Sequence, residues 1–421
     1  TTLLASVGLS RSDIYFTNTI KERPPNNDPA NGFITFNNVR VSSTTPAFDN
    51  HVQVLKEQLS HATANVIVAV GNISLYALCG LEKPMVSKRR GTIMESTLLP
   101  GRKVIPIIHP GAATRDYLLR YPILTDLQKI KRESAFPEIK LPKRNLIIAP
   151  TFLDSMEYIS QAKDSKSFAF DVEIINDQIE CLAIALSPTL AMSIPFVANR
   201  KSYFSPEHEV EVWTELAELF ADPTISKLGH NVAFDATMLF RSLNILPTHL
   251  EDTMIARKIL RPDLLKKLEV VTADFTDEPY YKDEGERWKD PNISDEQYWT
   301  YNAKDAAVTF EISRPLALAL KKQDNVRTYR RQSSILHPLL YMMVRGIRMD
   351  VEGLKAAFIK QKEEIATLEA ELNSIIGSPI NFDSPKQVGS YFYGTLGIKP
   401  YTHKGKVTTD VTAMKRLASK G

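Results

Sequence analysis

The chain has 421 residues, 43% of them hydrophobic and 24% charged; this implies roughly two to four domains and excludes a disordered or fibrous chain. Two cysteines, Cys79 and Cys181, exclude a disulfide scaffold and any cluster or structural zinc that needs several thiolates. Net charge is +3, no apolar run approaches the roughly 20 residues of a membrane span, and the opening TTLLASVGLSRSD lacks the basic start of a secretory signal, so a soluble intracellular protein is expected.

Divided along the chain, the charge is uneven. Residues 1–163 hold 20 Lys+Arg against 13 Asp+Glu, residues 164–310 hold 14 against 26, and residues 311–421 hold 18 against 10. The three blocks therefore carry +7, −12 and +8. An acidic block between two basic ones points to collected carboxylates flanked by surfaces that suit a polyanion.

In the first block, Asp13–Asn18, Asn65–Val70 and Val104–Ile108 read as buried parallel strands. Phe48–Thr63 and Ser74–Cys79 read as helices between them, an α/β layer pattern. The charged stretch from Lys129 to Asn145, with its two prolines, reads as a linker. Next, Ser167–Ile174 alternates cleanly, and Glu180–Leu186 and Met192–Phe196 complete a meander. Helices follow at Glu207–Phe220, Ala233–Leu243, Thr253–Ile259, Asp295–Leu320, Val351–Ile375 and Asp410–Ala418.

Three pairs of residues carry the chemistry. Asp171 and Glu173 lie two apart on a strand, so both leave by one face. Phe168, Phe170, Val172 and Ile174 fill the other face. Adjacent carboxylates repel unless a cation lies between them, and a metal ion is the usual one. Asn231 and Asp235 lie one helical turn apart; the bland alternative is a helix cap and an exposed acid. Tyr301 and Asp305 repeat that spacing, which lets a hydroxyl orient a water beside a carboxylate. D-x-E on a strand, N-x3-D on a helix and Y-x3-D on a later helix, in this order, fit a two-metal phosphodiester-cleaving site.

With these residues, Phe170-Asp-Val-Glu, Gly229-His-Asn-Val-Ala-Phe-Asp, Glu251-Asp-Thr-Met-Ile-Ala-Arg and Thr276-Asp-Glu-Pro-Tyr-Tyr-Lys-Asp-Glu, the middle of the chain resembles the DEDDy 3′–5′ exonucleases that proofread for family A DNA polymerases. The resemblance implies a ribonuclease H-like α/β fold over 151–315. It implies two Mg²⁺ or Mn²⁺ ions on Asp171, Glu173, Asp235 and Asp305, Tyr301 positioning the attacking water, and Asn231 and Phe234 contacting the terminal nucleotide. An RNase D-like exoribonuclease, or a catalytically silent DNA-binding module, is the alternative.

The ends resemble other parts of such proteins. Leu336–Asp350, Asn381–Gln387 and Val407–Asp410 resemble the opening of the polymerase thumb, which implies a helical segment at 316–421 that grips duplex DNA. Gly421 falls where the palm is expected to begin, so the chain is expected to lack the polymerase site. Gly8–Asn18, Arg23–Pro29, Val68–Asn72 and Ile108–Ala112 resemble the uracil-DNA glycosylase superfamily, which implies an α/β domain over 1–135, incomplete at its amino end, and a 136–150 linker. There His109 would hold the substrate. Glu22 stands where iron–sulfur members have cysteine, so no cluster is expected. A cytoplasmic, bacterial or phage-infected setting, single-stranded DNA 3′ ends as substrate and no membrane partner complete the expectation.

Overall fold

Why some runs became strands and others did not is visible in what each found to pair with. The computed structural model describes residues 2–285, 293–403 and 406–419, grouped in two compact units, Thr1–Arg345 and Gly346–Gly421. In the first unit an antiparallel hairpin, β1 (Ile34–Asn37) and β2 (Arg40–Thr44), leads into α1 (Pro46–Ser60). Thr45 accepts a hydrogen bond from the Phe48 amide and Pro46 opens the helix, a start suited to its missing N–H. Then come β3 (Val66–Val70), α2 (Asn72–Cys79), β4 (Met94–Glu95) and β5 (Lys103–Ile107), with β3 parallel to β5 in the order β3-β5-β4. Gly80, at φ 63°, ends α2 in the left-handed conformation that glycine adopts without strain.

The expected strand at Asp13–Asn18 is not one. Arg11–Asp13 is a 3₁₀ turn and 14–18 is irregular, with Tyr15 61% and Phe16 54% exposed. Among the described residues no strand pairs with this run. The Arg11 guanidinium lies 4.0 Å from the Phe16 ring centroid, and Thr17 donates to Gln58 of α1 at 2.8 Å. The expected linker also differs. Arg120–Glu133 is a helix, α3, with Ile123, Leu127, Ile130, Asp126, Lys129 and Glu133 buried. Three of its charged side chains are buried with partners rather than solvated: Lys103 donates to Glu133 at 3.0 Å, Asp126 accepts from Arg90, and Lys129 donates to the carbonyls of Ala273 and Thr276.

Within the 136–150 stretch, β6 (Asn145–Ile147) joins the second sheet. That sheet is built by α4 (Phe152–Lys163), the meander β7 (Ser167–Ile175), β8 (Gln178–Ser187) and β9 (Leu190–Pro195), then α5 (Pro206–Ala221), β10 (Ser226–Gly229), α6 (Val232–Leu243) and β11 (Leu250–Asp252). Its order is β11-β10-β7-β8-β9-β6, antiparallel through the meander and parallel at β7/β10/β11 and β9/β6. α7 (Thr253–Leu260), α8 (Leu268–Phe275) and the 28-residue α9 (Asp295–Lys322) follow.

The sheet's two faces are packed differently. On one, Phe168, Phe170 and Val172 meet Leu216, Phe220 and Leu239, and the Phe170 and Phe220 rings meet edge-on at 4.9 Å. On the other, Ala169, Ala183, Ala185, Ala303, Ala306 and Ala307 form an alanine layer. Small side chains there let α9 lie close against the strands, which brings its polar residues to the carboxylates of β7. Two further helices, α10 (Val326–Ser333) and α11 (Leu336–Arg345), complete the first unit; Leu336 and Leu340 are buried in the aromatic core. They fall beyond residue 315, in the stretch expected to belong to the thumb, yet they pack here: α11 lies against α6 through its apolar side chains, and α10 lies against α7 and α9.

In the second unit, α12 (Val351–Ile376) runs from an Asp350 cap to Gly377 at φ 76° with no buried residue, and α13 (Val411–Ala418) starts at the Asp410 cap. Among the described residues no helix is long and apolar enough to cross a membrane.

Candidate active site

The alternation of β7 sends Asp171 and Glu173 toward α9, and α9 answers with Tyr298, Tyr301, Asn302 and Asp305, spaced i, i+3, i+4, i+7 along one face. One oxygen from each of Asp171, Glu173 and Asp305 lies within 4.8 Å of the others. Asp235 comes from the first turn of α6, whose start is fixed by an unexpected residue. The buried Asp252 carboxylate accepts from the amides of Asn231 (3.0 Å) and Val232 (3.1 Å), and from Met254 at the start of α7 (2.7 Å). One side chain thus caps two helices. Asn231 sits at the cap position in the left-handed region, φ 69°, but its side chain makes no cap bond. The capping role considered for it belongs to Asp252.

Asp235 is 6% exposed, and its Oδ1 accepts from the Val172 amide at 3.1 Å, so the exposed-acid alternative is excluded. It borders the cluster through Asp171. Asn231 is exposed and Phe234 is 50% exposed, so both are available to a ligand. His230 beside them is structural: its ring nitrogens contact Thr253 Oγ1 (2.9 Å) and the Lys266 carbonyl (2.8 Å), and burial pushes its pKa down to about 4.

Electrostatics mark the site. Burial, then the charge of Asp305, pushes the Asp171 carboxyl up to about 7. Burial, then the charges of Asp171 and Asp305, holds Glu173 well above the carboxylate range, and burial, then Asp171, does the same for Asp235. Such a set of carboxylate oxygens is what hard divalent cations such as Mg²⁺ and Mn²⁺ prefer. The donor set fits, and the repulsion within it is the feature a bound divalent ion would relieve.

Four site residues were missed from the sequence. Asn302 donates from Nδ2 to Asp171 Oδ2 (2.9 Å) and O (3.1 Å), and its own oxygen accepts from Ser193 (2.8 Å). Tyr298 donates to Glu173 at 3.0 Å, and Tyr281 donates to Asp305 at 2.5 Å. Lys282 pairs with Asp305 and donates to the Tyr301 hydroxyl at 3.0 Å. The helical pair was readable: Tyr298-x3-Asn302 runs beside Tyr301-x3-Asp305 with the same period. Tyr281 and Lys282 come from a loop, where no periodicity announces a contact.

His109 lies in the other sheet's domain, exposed, and is not brought to the carboxylates. It caps a 3₁₀ turn, with Nδ1 accepting from the Gly111 amide at 3.0 Å.

A strand pair of carboxylates faced by an acidic and tyrosine-bearing helix across an alanine layer gathers three carboxylates of the kind that hold a divalent metal ion. Comparison with known proteins makes the assignment specific. Residues 151–321 match the family model described as 3′-5′ exonuclease, and residues 1–130 match that of the uracil DNA glycosylase superfamily. The middle of the chain is therefore a 3′–5′ exonuclease domain of the kind carried by family A DNA polymerases, preceded by a glycosylase-like domain. DNA polymerase I of Chloroflexus aurantiacus is 28% identical over 64% of this chain and 30% of its own length. The type-4 uracil-DNA glycosylase of Archaeoglobus fulgidus is 34% identical over 31% of this chain and 61% of its own. The DNA polymerase of Bacillus phage SP01 is 21% identical over 99% of this chain and 53% of its own. The chain thus spans about a third of the length of the bacterial polymerase and about half that of the phage one.

Proposed function

We propose that this chain removes nucleotides one at a time from the 3′ end of single-stranded DNA, with two divalent ions, Mg²⁺ or Mn²⁺. The observation that carries the reading is the convergence of Asp171, Glu173 and Asp305 oxygens within 4.8 Å. Bound ions would supply charge neutralisation on the scissile phosphate and its leaving oxygen and acidify a water. Asp171, Glu173 and Asp305 would hold one ion. Asp171 and Asp235 would serve a second. The Tyr301 hydroxyl, beside Asp305, orients the attacking water. Asn231 and Phe234, exposed on α6, receive the terminal nucleotide by hydrogen bond and stacking.

The thumb-like 346–421 unit and the glycosylase-like domain contact duplex DNA, the former with the help of its basic side chains. His109, whose Nδ1 accepts from the Gly111 amide, would hold substrate within the glycosylase-like domain. The deciding assay is cleavage of 5′-labelled single-stranded DNA with Mg²⁺, resolved on a gel. The parent should yield a 3′-shortening ladder and Asp171→Ala none. Equal degradation by both proteins rejects the assignment, and equal cleavage of a matched RNA strand makes it an exoribonuclease.

A further inference from the structure

The loop that carries Tyr281 and Lys282 is held from outside the exonuclease domain. Five basic side chains of the glycosylase-like domain converge on residues 273–283. Buried Arg90 donates to Asp126 of its own domain at 3.1 Å and to Asp274 at 2.8 Å, and Asp274 is also bonded by buried Arg257 at 2.7 Å. Lys129 donates to the carbonyls of Ala273 (3.1 Å) and Thr276 (2.7 Å), and Arg132 donates to Asp277 at 2.6 Å. Arg89 donates to Asp283 at 3.0 Å and stacks over Tyr280 at 4.5 Å; Lys88 approaches Asp283 at 3.9 Å. These are five of the 20 Lys and Arg side chains of residues 1–163.

At its other side the same loop lies on the site. Tyr281 and Lys282 take the two oxygens of Asp305, Lys282 also reaches the Tyr301 hydroxyl, and Gly285 presses so close to the Tyr301 ring that a Cβ there would overlap it.

We propose that the glycosylase-like domain sets the exonuclease site through this loop, with Lys282 as a positioning residue. Lys282 is a tethered cation. Without a divalent ion it neutralises Asp305; when Asp305 turns to the ion, Lys282 keeps its bond to Tyr301 and holds the hydroxyl in place. Arg89 and the other anchors act by keeping the loop registered. The proposal rests on the exonuclease reading above, and its test separates the two because Asp171→Ala decides that reading alone.

Two effects of opposite sign identify the role. Lys282→Met removes a positive charge beside the ion site, so Mn²⁺ binding, followed by calorimetry on the full chain at pH 8, should tighten by about tenfold or more, the scale of a unit charge at this range. The same variant loses the anchor of Tyr301, so single-turnover kcat at saturating Mn²⁺ should fall by about 10²-fold with KM for DNA little changed. A merely loosened site would lose both. Lys282→Arg should recover part of the rate. Arg89→Ala, and Asp283→Asn from the other side of the pair, should show the same signature in smaller measure and add little to Lys282→Met. Weaker Mn²⁺ binding by Lys282→Met overturns the role of Lys282. Rate losses of Arg89→Ala and Lys282→Met that multiply, or Arg89→Ala and Asp283→Asn both matching the parent, overturn the coupling between domains.

Discussion

Asn302 is 0% exposed and touches no solvent, yet it makes three hydrogen bonds, two to Asp171 and one from Ser193. Asn302→Leu keeps the side-chain shape and removes all of them. The bond to an ionised carboxylate is worth about 1.5–3 kcal/mol, and stranding the buried Ser193 hydroxyl costs about 1–3 kcal/mol. Leucine's apolar contacts return part of this, so a net loss of about 2–4 kcal/mol is expected in urea unfolding without metal at pH 8, where Asp171, raised to about 7, is ionised. Asp171 also loses the donor that orients it and favours its ionised form. Supporting partners of this kind carry about 10–100-fold in metal affinity, so Mn²⁺ should bind more weakly by that factor at pH 8. An Asn302→Leu protein within about 1 kcal/mol of the parent, binding Mn²⁺ equally well, would refute the view that Asn302 sets the geometry of Asp171.

Two other outcomes are expected. Tyr301→Phe should keep Mn²⁺ binding and DNA affinity and lose about 10²-fold in single-turnover rate, whereas Asp305→Ala, which removes a carboxylate from the cluster, should lose more rate and also metal affinity; a Tyr301→Phe protein slower than Asp305→Ala would reverse the roles. The Asp171 carboxyl is raised to about 7 in the fold against about 3.9 unfolded, so the folded protein keeps a proton that the unfolded chain releases between those values. Asp171 should therefore make metal-free stability fall as pH rises from about 4 to about 7, and Glu173 and Asp235, raised as well, add to the fall, while the gain in thermal midpoint on adding Mn²⁺ should grow as pH rises; an equal gain at pH 5 and pH 8 would contradict a shared carboxylate site.

What the sequence made legible was whatever repeats with a period. The alternation of Phe168, Phe170 and Val172 against Asp171 and Glu173 returned both the strand and the direction of its acids. The four-residue steps in α9 returned the helix face that meets them. Asp252 escaped because a cap that serves two helices through its carboxylate leaves no regular spacing, and Asn231, which occupies the cap position, matched the expected residue type better. Lys129 and Glu133 were misread for a different reason: charge density alone does not distinguish a solvated linker from buried charges, Glu133 paired with Lys103 of its own domain and Lys129 bonded to a carbonyl more than a hundred residues away. Asp13–Asn18 shows the converse, an apolar run that stays irregular and pairs with no strand among the described residues.

The matched exonuclease region ends at residue 321, but its hydrophobic core does not. Leu336 and Leu340 of α11 are 3% and 1% exposed and belong to the same cluster as Leu239 of α6, the helix whose first turn presents Asp235. Homology and folding thus draw different borders on this chain. A fragment cut where the resemblance stops would retain each acid and tyrosine named above and yet uncover the underside of α6, tilting the balance toward a domain that is complete as a text and open as a solid. The physical end of the nuclease lies near Arg345.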